Sequence, residues 1–106
     1  MTEELTREKA DKLLGLLGLA RRAGQLGMGV SAVEKMVAKG ERPLVITAAD
    51  MGESLKGKVS RWQPLRGIVA DVLTGEDLAR ALGRDKLAVV AVSDSGFIKG
   101  IRKLGF

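Results

Sequence analysis

An α/β fold, with helices on both faces of one sheet, is what this sequence of 106 residues predicts. Three observations carry it. Stretches with apolar residues at helical spacing alternate along the chain with short apolar runs of strand length. The run LAVVAV, Leu87 to Val92, is apolar at every position, as a central strand covered on both faces must be. Short connections punctuated by glycine and proline separate these pieces, so successive strands are joined through helices and the sheet is covered on both sides. Four strands and five helices fit the length, as one domain spanning residues 1–106.

Leu5 to Ala23 reads as the first helix, with Ala10, Leu13, Leu14, Leu17 and Ala20 at helical spacing and Gly24 placed to end it. Gly15 and Gly18 weaken it by about 1 kcal/mol each relative to alanine, so a close packing contact is expected in compensation. Gln25 to Gly29 is a short strand candidate. Ser31 then opens a second helix, since Ser31-Ala32-Val33-Glu34 has the S-x-x-E form of a capping box. Val33, Met36 and Val37 make its inner stripe, and Gly40 stops it.

Pro43 to Ile46 follows as a buried strand. Asp50 is expected to cap a third helix whose inner stripe is Met51, Leu55, Val59 and Trp62, broken by Pro64. Gly67 to Ala70 reads as a strand. Thr74 with Asp77 caps a fourth helix carrying Leu78, Ala81 and Leu82, and Gly83 ends it. After the LAVVAV strand, Ser93 or Asp94 caps the last helix. Phe97, Ile98 and Ile101 point inward there, and Lys99, Arg102 and Lys103 outward.

Composition narrows the function. There is no cysteine and no histidine, so disulfides, thiolate metal sites and the commonest general base are all missing. Catalysis would fall to carboxylates, lysines or hydroxyls. Asp50 with Glu53, and Asp94 alone, are better explained as caps than as an acid–base pair, which weighs against an enzyme. No cofactor and no metal are expected. The start is acidic and polar, unlike a secretory signal, and no apolar run approaches the roughly 18–20 residues of a membrane span, so a cytoplasmic protein without membrane contact is expected.

The 18 Lys and Arg against 13 Asp and Glu give a formal charge of +5 and a pI near 9.9, which suits a polyanionic partner. Distribution says more than the total. Residues 1–11 are net acidic, whereas Lys12 to Val33 and Ser54 to Ala70 carry only positive charges. The stretch from Ala23 to Gly40, AGQLGMGVSAVEKMVAKG, delivers a glycine-rich strand end into a helix start. Backbone N–H groups and the helix dipole there favour phosphate. Ser31, Lys35 and Lys39 follow one another at successive turns and would form a ridge facing one way; an ordinary solvated helix face is the plainer alternative. Gly24, Gly27 and Gly29 spell G-x-x-G-x-G, which lacks the order of a dinucleotide or P-loop fingerprint. The segment KGKVSRWQPLR, Lys56 to Arg66, mixes four cations with Trp62, but Trp62 fits the inner stripe. With three aromatics in the chain, recognition by shape and phosphate is expected rather than base stacking.

These residues together resemble the kink-turn RNA-binding superfamily of ribosomal proteins, the archaeal L-seven-Ae and eukaryotic L-thirty type, and most closely its bacterial YlxQ-like branch. The resemblance runs from about Leu13 to Leu104. Its strongest pieces are the stretch LGLARRAG ending at Gly24, the Gly29–Gly40 segment, and Val90 to Phe97. A similar domain follows a YlxR-type domain in some bacterial proteins. The resemblance implies a three-layer αβα sandwich with a four-stranded mixed sheet, binding sharply bent RNA. The family signature G-x-N-E-x-x-K-x-x-x-[KR]-G is met by Gly29, Lys35, Lys39 and Gly40, with Val30 at its open position. Ser31 and Ala32 stand where the family has the asparagine and glutamate that read the guanines of the kink, so phosphate gripping is retained and base readout is reduced. The resemblance further implies a second RNA contact at Arg84, Asp85, Lys86 and Leu87, and it matches Asp50 to the aspartate of an A-E-D turn. Structured RNA, with ribosomal RNA as a candidate and the ribosome or a translation factor as associated partner, is the expected ligand. The competing expectation is a protein-interaction module of the translation machinery on the same scaffold.

Overall fold

The computed structural model describes residues 2–106, with side chains described from Thr6 onward. In chain order it forms α1 (Thr2–Arg22), β1 (Leu26–Met28), α2 (Val30–Ala38), β2 (Leu44–Ala48), α3 (Glu53–Val59), β3 (Gly67–Leu73), α4 (Gly75–Leu82), β4 (Val89–Val92) and α5 (Ser95–Lys103). The strands lie in the order β1-β4-β2-β3. β2 pairs parallel with β3, and β4 runs antiparallel to both β1 and β2, so the sheet is mixed.

The pleat explains why the two central strands are apolar at nearly every residue. Leu44, Ile46, Ala48, Val90 and Val92 face one way, into a core with Leu13, Leu17 and Ala20 of α1, Leu78 and Leu82 of α4, and Ile98 and Ile101 of α5. Val45, Val89 and Ala91 face the other way, against Val33 of α2 and Val59 and Trp62. Helices α1, α4 and α5 therefore cover one face, and α2 and α3 the other, which makes the three-layer sandwich. The polar residue buried among these apolar ones is Thr47, whose Oγ1 has no hydrogen-bond partner among the described residues.

Several boundaries depart from the sequence expectations, each for a local reason. No side chain caps α2: it starts at Val30 behind Gly29, and Ser31 is already inside it. The S-x-x-E box does not close because Glu34 is engaged elsewhere, its Oε2 accepting a hydrogen bond of 3.3 Å from Trp62 Nε1. Asp50 does not cap α3, which begins after Gly52 without a side-chain cap. Asp50 Oδ1 instead accepts from the backbone N–H of Gly75 at 2.8 Å, holding the start of α4. Helix α3 is shorter than expected: Met51 precedes it and packs on the opposite core, and Trp62 follows it and is buried. In α4 the buried alanine is Ala79, while Ala81 is exposed. The close contact expected at Gly15 and Gly18 is absent: a Cβ at either would meet nothing within 4 Å. The glycine that does touch α1 is Gly100, where a Cβ would lie 3.6 Å from the methyls of Leu16.

Other expectations hold closely. Thr74 and Asp77 form both bonds of a capping box at 3.0 Å, and Asp94 accepts from Phe97 N at 3.0 Å. β1 forms where the short strand was expected, and β3 runs on to Leu73 past a register shift near Asp71, which has φ 62°.

Thr47 yields a direct test of this packing. A buried hydroxyl without a partner costs more than an apolar group of the same shape. Thr47→Val should therefore raise unfolding stability by about 1 kcal/mol, read as a higher denaturant midpoint at unchanged slope. A loss of stability would show that the hydroxyl is hydrogen-bonded in solution.

Candidate nucleic-acid interface

The sheet gathers its chain reversals at two ends. Because β1, β2 and β3 run the same way and β4 opposes them, the C-terminal ends of three strands meet the start of β4. Gly29 N–H donates to Val89 O at 2.9 Å, and Ala48 N–H donates to Ala88 O at 2.8 Å. These two bonds put the start of α2, the turn after β2 and the loop before β4 at one edge of the sheet. The start of α4 joins them through the Asp50–Gly75 bond.

Gly29 makes the turn into α2 with φ 90° and ψ 166°, a conformation that side chains rarely adopt, while its carbonyl accepts the N–H of Val33 at 3.1 Å. The first-turn amides of Val30, Ser31 and Ala32 have no intrahelical acceptor, and no side chain caps them. The beginning of α4 is different. Its Thr74 and Gly75 amides are held by Asp77 and Asp50 carboxylates, which occupy the positive end of that helix. Asp50 thus belongs to the fabric of this edge.

Around the same edge, Asp50, Arg84, Asp85, Lys86 and Leu87 line an open cleft of about 580 Å³ with Met51, Glu76 and Arg80. Arg84, Asp85 and Lys86 are exposed, whereas Leu87 is 6% exposed and anchors the loop in the core. Arg80 pairs with Glu76 one turn away, so its charge is partly matched. Neither Arg84 nor Lys86 is in an ion pair among the described residues.

The lysines of α2 lie farther along. Lys35, Lys39 and Ala32 line a second cleft, of about 270 Å³, with Gly24 to Gly27, Met36, Glu41 and Ser93. This cleft reaches the opposite edge of the sheet, where Ser93 Oγ donates to Glu41 Oε1 at 2.8 Å. Helix α2 lies close on β1 at Gly27, where a Cβ would come 2.5 Å from Met36 Sδ and 3.7 Å from Ala32 Cβ. The G-x-x-G-x-G spacing therefore reflects separate tasks: a helix end at Gly24, close packing at Gly27 and a turn at Gly29. Ser31 is exposed on α2 and does not line the cleft with the two lysines, so the expected straight ridge is a curved one.

The structure thus brings Gly29, Val30, Asp50 and Arg84 to Leu87 to one edge, and carries Lys35 and Lys39 away from it along α2. Met36, Gln25, Glu41 and Ser93 were not singled out from the sequence; only the pairing of β1 with β4 brings them together. Trp62 does not stack outward. It is buried and tied to Glu34, which leaves Lys56, Lys58, Arg61 and Arg66 as exposed cations without an exposed ring. Among the described residues no group of three or more His, Cys, Asp or Glu could hold a metal, and no helix is long and apolar enough to cross a membrane.

No family model and no curated protein matches this chain. Solved structures do. A protein with unknown function from Bacillus halodurans C is 36% identical, with a TM-score of 0.73, over 88% of this chain and 95% of its own. A Giardia lamblia 15.5kD RNA binding protein is 19% identical, with a TM-score of 0.68, over 92% of this chain and 84% of its own. The second likeness establishes the fold.

Asp50 provides the test of this edge. Asp50→Ala frees the Gly75 N–H and should cost about 1 kcal/mol, the usual loss for a helix start deprived of its carboxylate. Faster hydrogen exchange at Gly75, with Phe97 at the start of α5 unchanged, would locate the loss at α4. Unchanged exchange at Gly75 would show that the Asp50 bond does not form.

Proposed function

We propose that this chain, which belongs to the family of the Bacillus halodurans protein, binds structured RNA through the start of α2 and the Arg84–Lys86 loop. The observation that carries the reading is the uncapped first turn of α2, opened by Gly29 at φ 90° beside a loop bearing Arg84 and Lys86. Three backbone N–H groups at the positive end of a helix, with cations next to them, form an anion site suited to a phosphate backbone. Lys35 and Lys39 extend the grip along α2, so that a bent strand can be held at one edge of the sheet and followed toward the other. The shared fold with an RNA binding protein of Giardia lamblia supports the reading at the level of scaffold. Ribosomal RNA, or another folded RNA met by the translation machinery in the cytoplasm, is the proposed ligand class.

Recognition rests on phosphate and shape. Ser31 offers a hydroxyl and Ala32 offers none, so the positions that would read bases at this junction are reduced to one small polar group. The alternative, a protein-interaction module on the same scaffold, would not require a salt-sensitive grip on RNA.

Paired dissociation constants on a kinked RNA, a straight duplex and a scrambled control test the proposal. Affinity should fall with salt along a log–log line, with slope close to −0.9 per phosphate contact on duplex and shallower on single strands. Lys35→Ala should weaken every structured RNA by a similar factor, because a phosphate contact carries no sequence information. Ser31→Asn with Ala32→Glu should sharpen discrimination for the kinked RNA by about 1–3 kcal/mol, the range of one bidentate base contact. Absence of binding at low salt, or binding indifferent to salt, would refute RNA as the ligand. Strong discrimination by the unaltered chain would refute the weakened readout.

A further inference from the structure

The outer face of α1 takes no part in the RNA reading, and the packing of the chain does not account for it. Leu13, Leu17 and Ala20 point into the core, and Leu16 lies against Gly100 of α5. On the opposite side of the helix lie Glu8, Asp11, Gly15, Gly18, Leu19 and Arg22. Leu19 is 52% exposed, the most exposed large hydrophobic side chain among the described residues. Its surroundings are uneven in charge: Glu8 and Asp11 precede it on this face, and Arg22 follows it, all exposed and none in an ion pair of the described residues.

We infer that this face of α1 docks against the same face of a second copy of the chain, with the two helices antiparallel. Charge selects the occupant. The face is acidic toward its start and basic toward its end, so an antiparallel copy matches it at both ends, whereas a parallel copy sets like charge on like. With Gly15 of one copy against Gly15 of the other, Glu8 and Arg22 each lie seven residues from the crossing point, on opposite sides. Each Glu8 then faces an Arg22, twice, as a two-fold axis requires. Leu19, one turn past Gly15, comes to rest over backbone that the other copy's Gly15 leaves bare. A Cβ at Gly15 or Gly18 meets nothing within its own chain, so neither glycine is needed for packing inside the monomer. In the dimer they let the helices approach to the short end of the usual 8–10 Å separation. The interface lies on the α1–α4–α5 side of the sheet and leaves α2 open, so it stands independently of the RNA proposal.

Sedimentation equilibrium of the full chain from about 10 μM to about 1 mM tests this, a range that reveals even weak association. The mass should rise with concentration from 11.3 kDa toward twice that value. Glu8→Arg and Arg22→Glu should each weaken association by about tenfold, since each turns two attractions into repulsions, and the double variant should recover it. Gly15→Gln should weaken association yet raise the melting temperature of dilute monomer, because glutamine is the better helix former and nothing crowds it there. Circular dichroism confirms that each variant is folded. A chain that stays at 11.3 kDa throughout overturns the inference. So does a dimer that the single charge reversals leave intact, or that the double reversal fails to restore.

Discussion

The hydrogen bond from Gly29 N–H to Val89 O is the contact on which the functional edge depends. It closes the β1–β4 ladder and sets where β1 stops. With φ at 90°, Gly29 then turns the chain directly into α2. The start of α2 is thereby pinned to the start of β4, and so to the Arg84–Leu87 loop that precedes it. A side chain at this position would bear the strain of that φ. A shift of the ladder by one residue would exchange the faces of the whole strand. Gly27 reinforces the arrangement from β1, letting Met36 and Ala32 seat α2 closely upon it.

The helix starts at this edge divide the electrostatic work. That of α4 is satisfied internally, by Asp77 within its own capping box and by Asp50 from across the turn after β2. Those carboxylates stiffen the edge and keep anions away from α4. The start of α2 has no such partner, and the cations nearest in the fold and along the helix, Arg84, Lys86, Lys35 and Lys39, are exposed. An anion approaching this side of the molecule therefore meets one open helix start, with Asp50 and Asp85 bounding the cleft beside it. The same division makes Asp50 a structural residue, although it lines the cleft.

What was legible in the sequence followed from whether an element carries its own boundary. Thr74 with Asp77 and Asp94 with Phe97 are local caps, so α4 and α5 begin where their side chains say. LAVVAV was readable as a central strand because burial on both faces leaves no room for polar residues. The starts of α2 and α3 were misread because tertiary bonds set them. Glu34 is drawn off to Trp62 and Asp50 to Gly75, and neither partner lies within twenty residues in sequence. Ala79 replaced Ala81 in the core because α4 is short, and a small difference in its rotation decides which alanine faces inward. The candidate site was legible as two sequence segments, from Gly29 to Lys39 and from Arg84 to Leu87. Their meeting at one edge, and the departure of Lys35 and Lys39 toward the other, needed the strand order.

Backbone amide shifts of the labelled chain, followed while a structured RNA is added at low salt, address the RNA reading most directly. The expected result is a set of changes concentrated at Gly29 to Ala32, at Lys35 and Lys39, and at Arg84 to Lys86. Amides on the outer face of α1 and along α5 should stay in place. Changes confined to α1 and α5, or none at any RNA concentration, would contradict a phosphate grip at the start of α2.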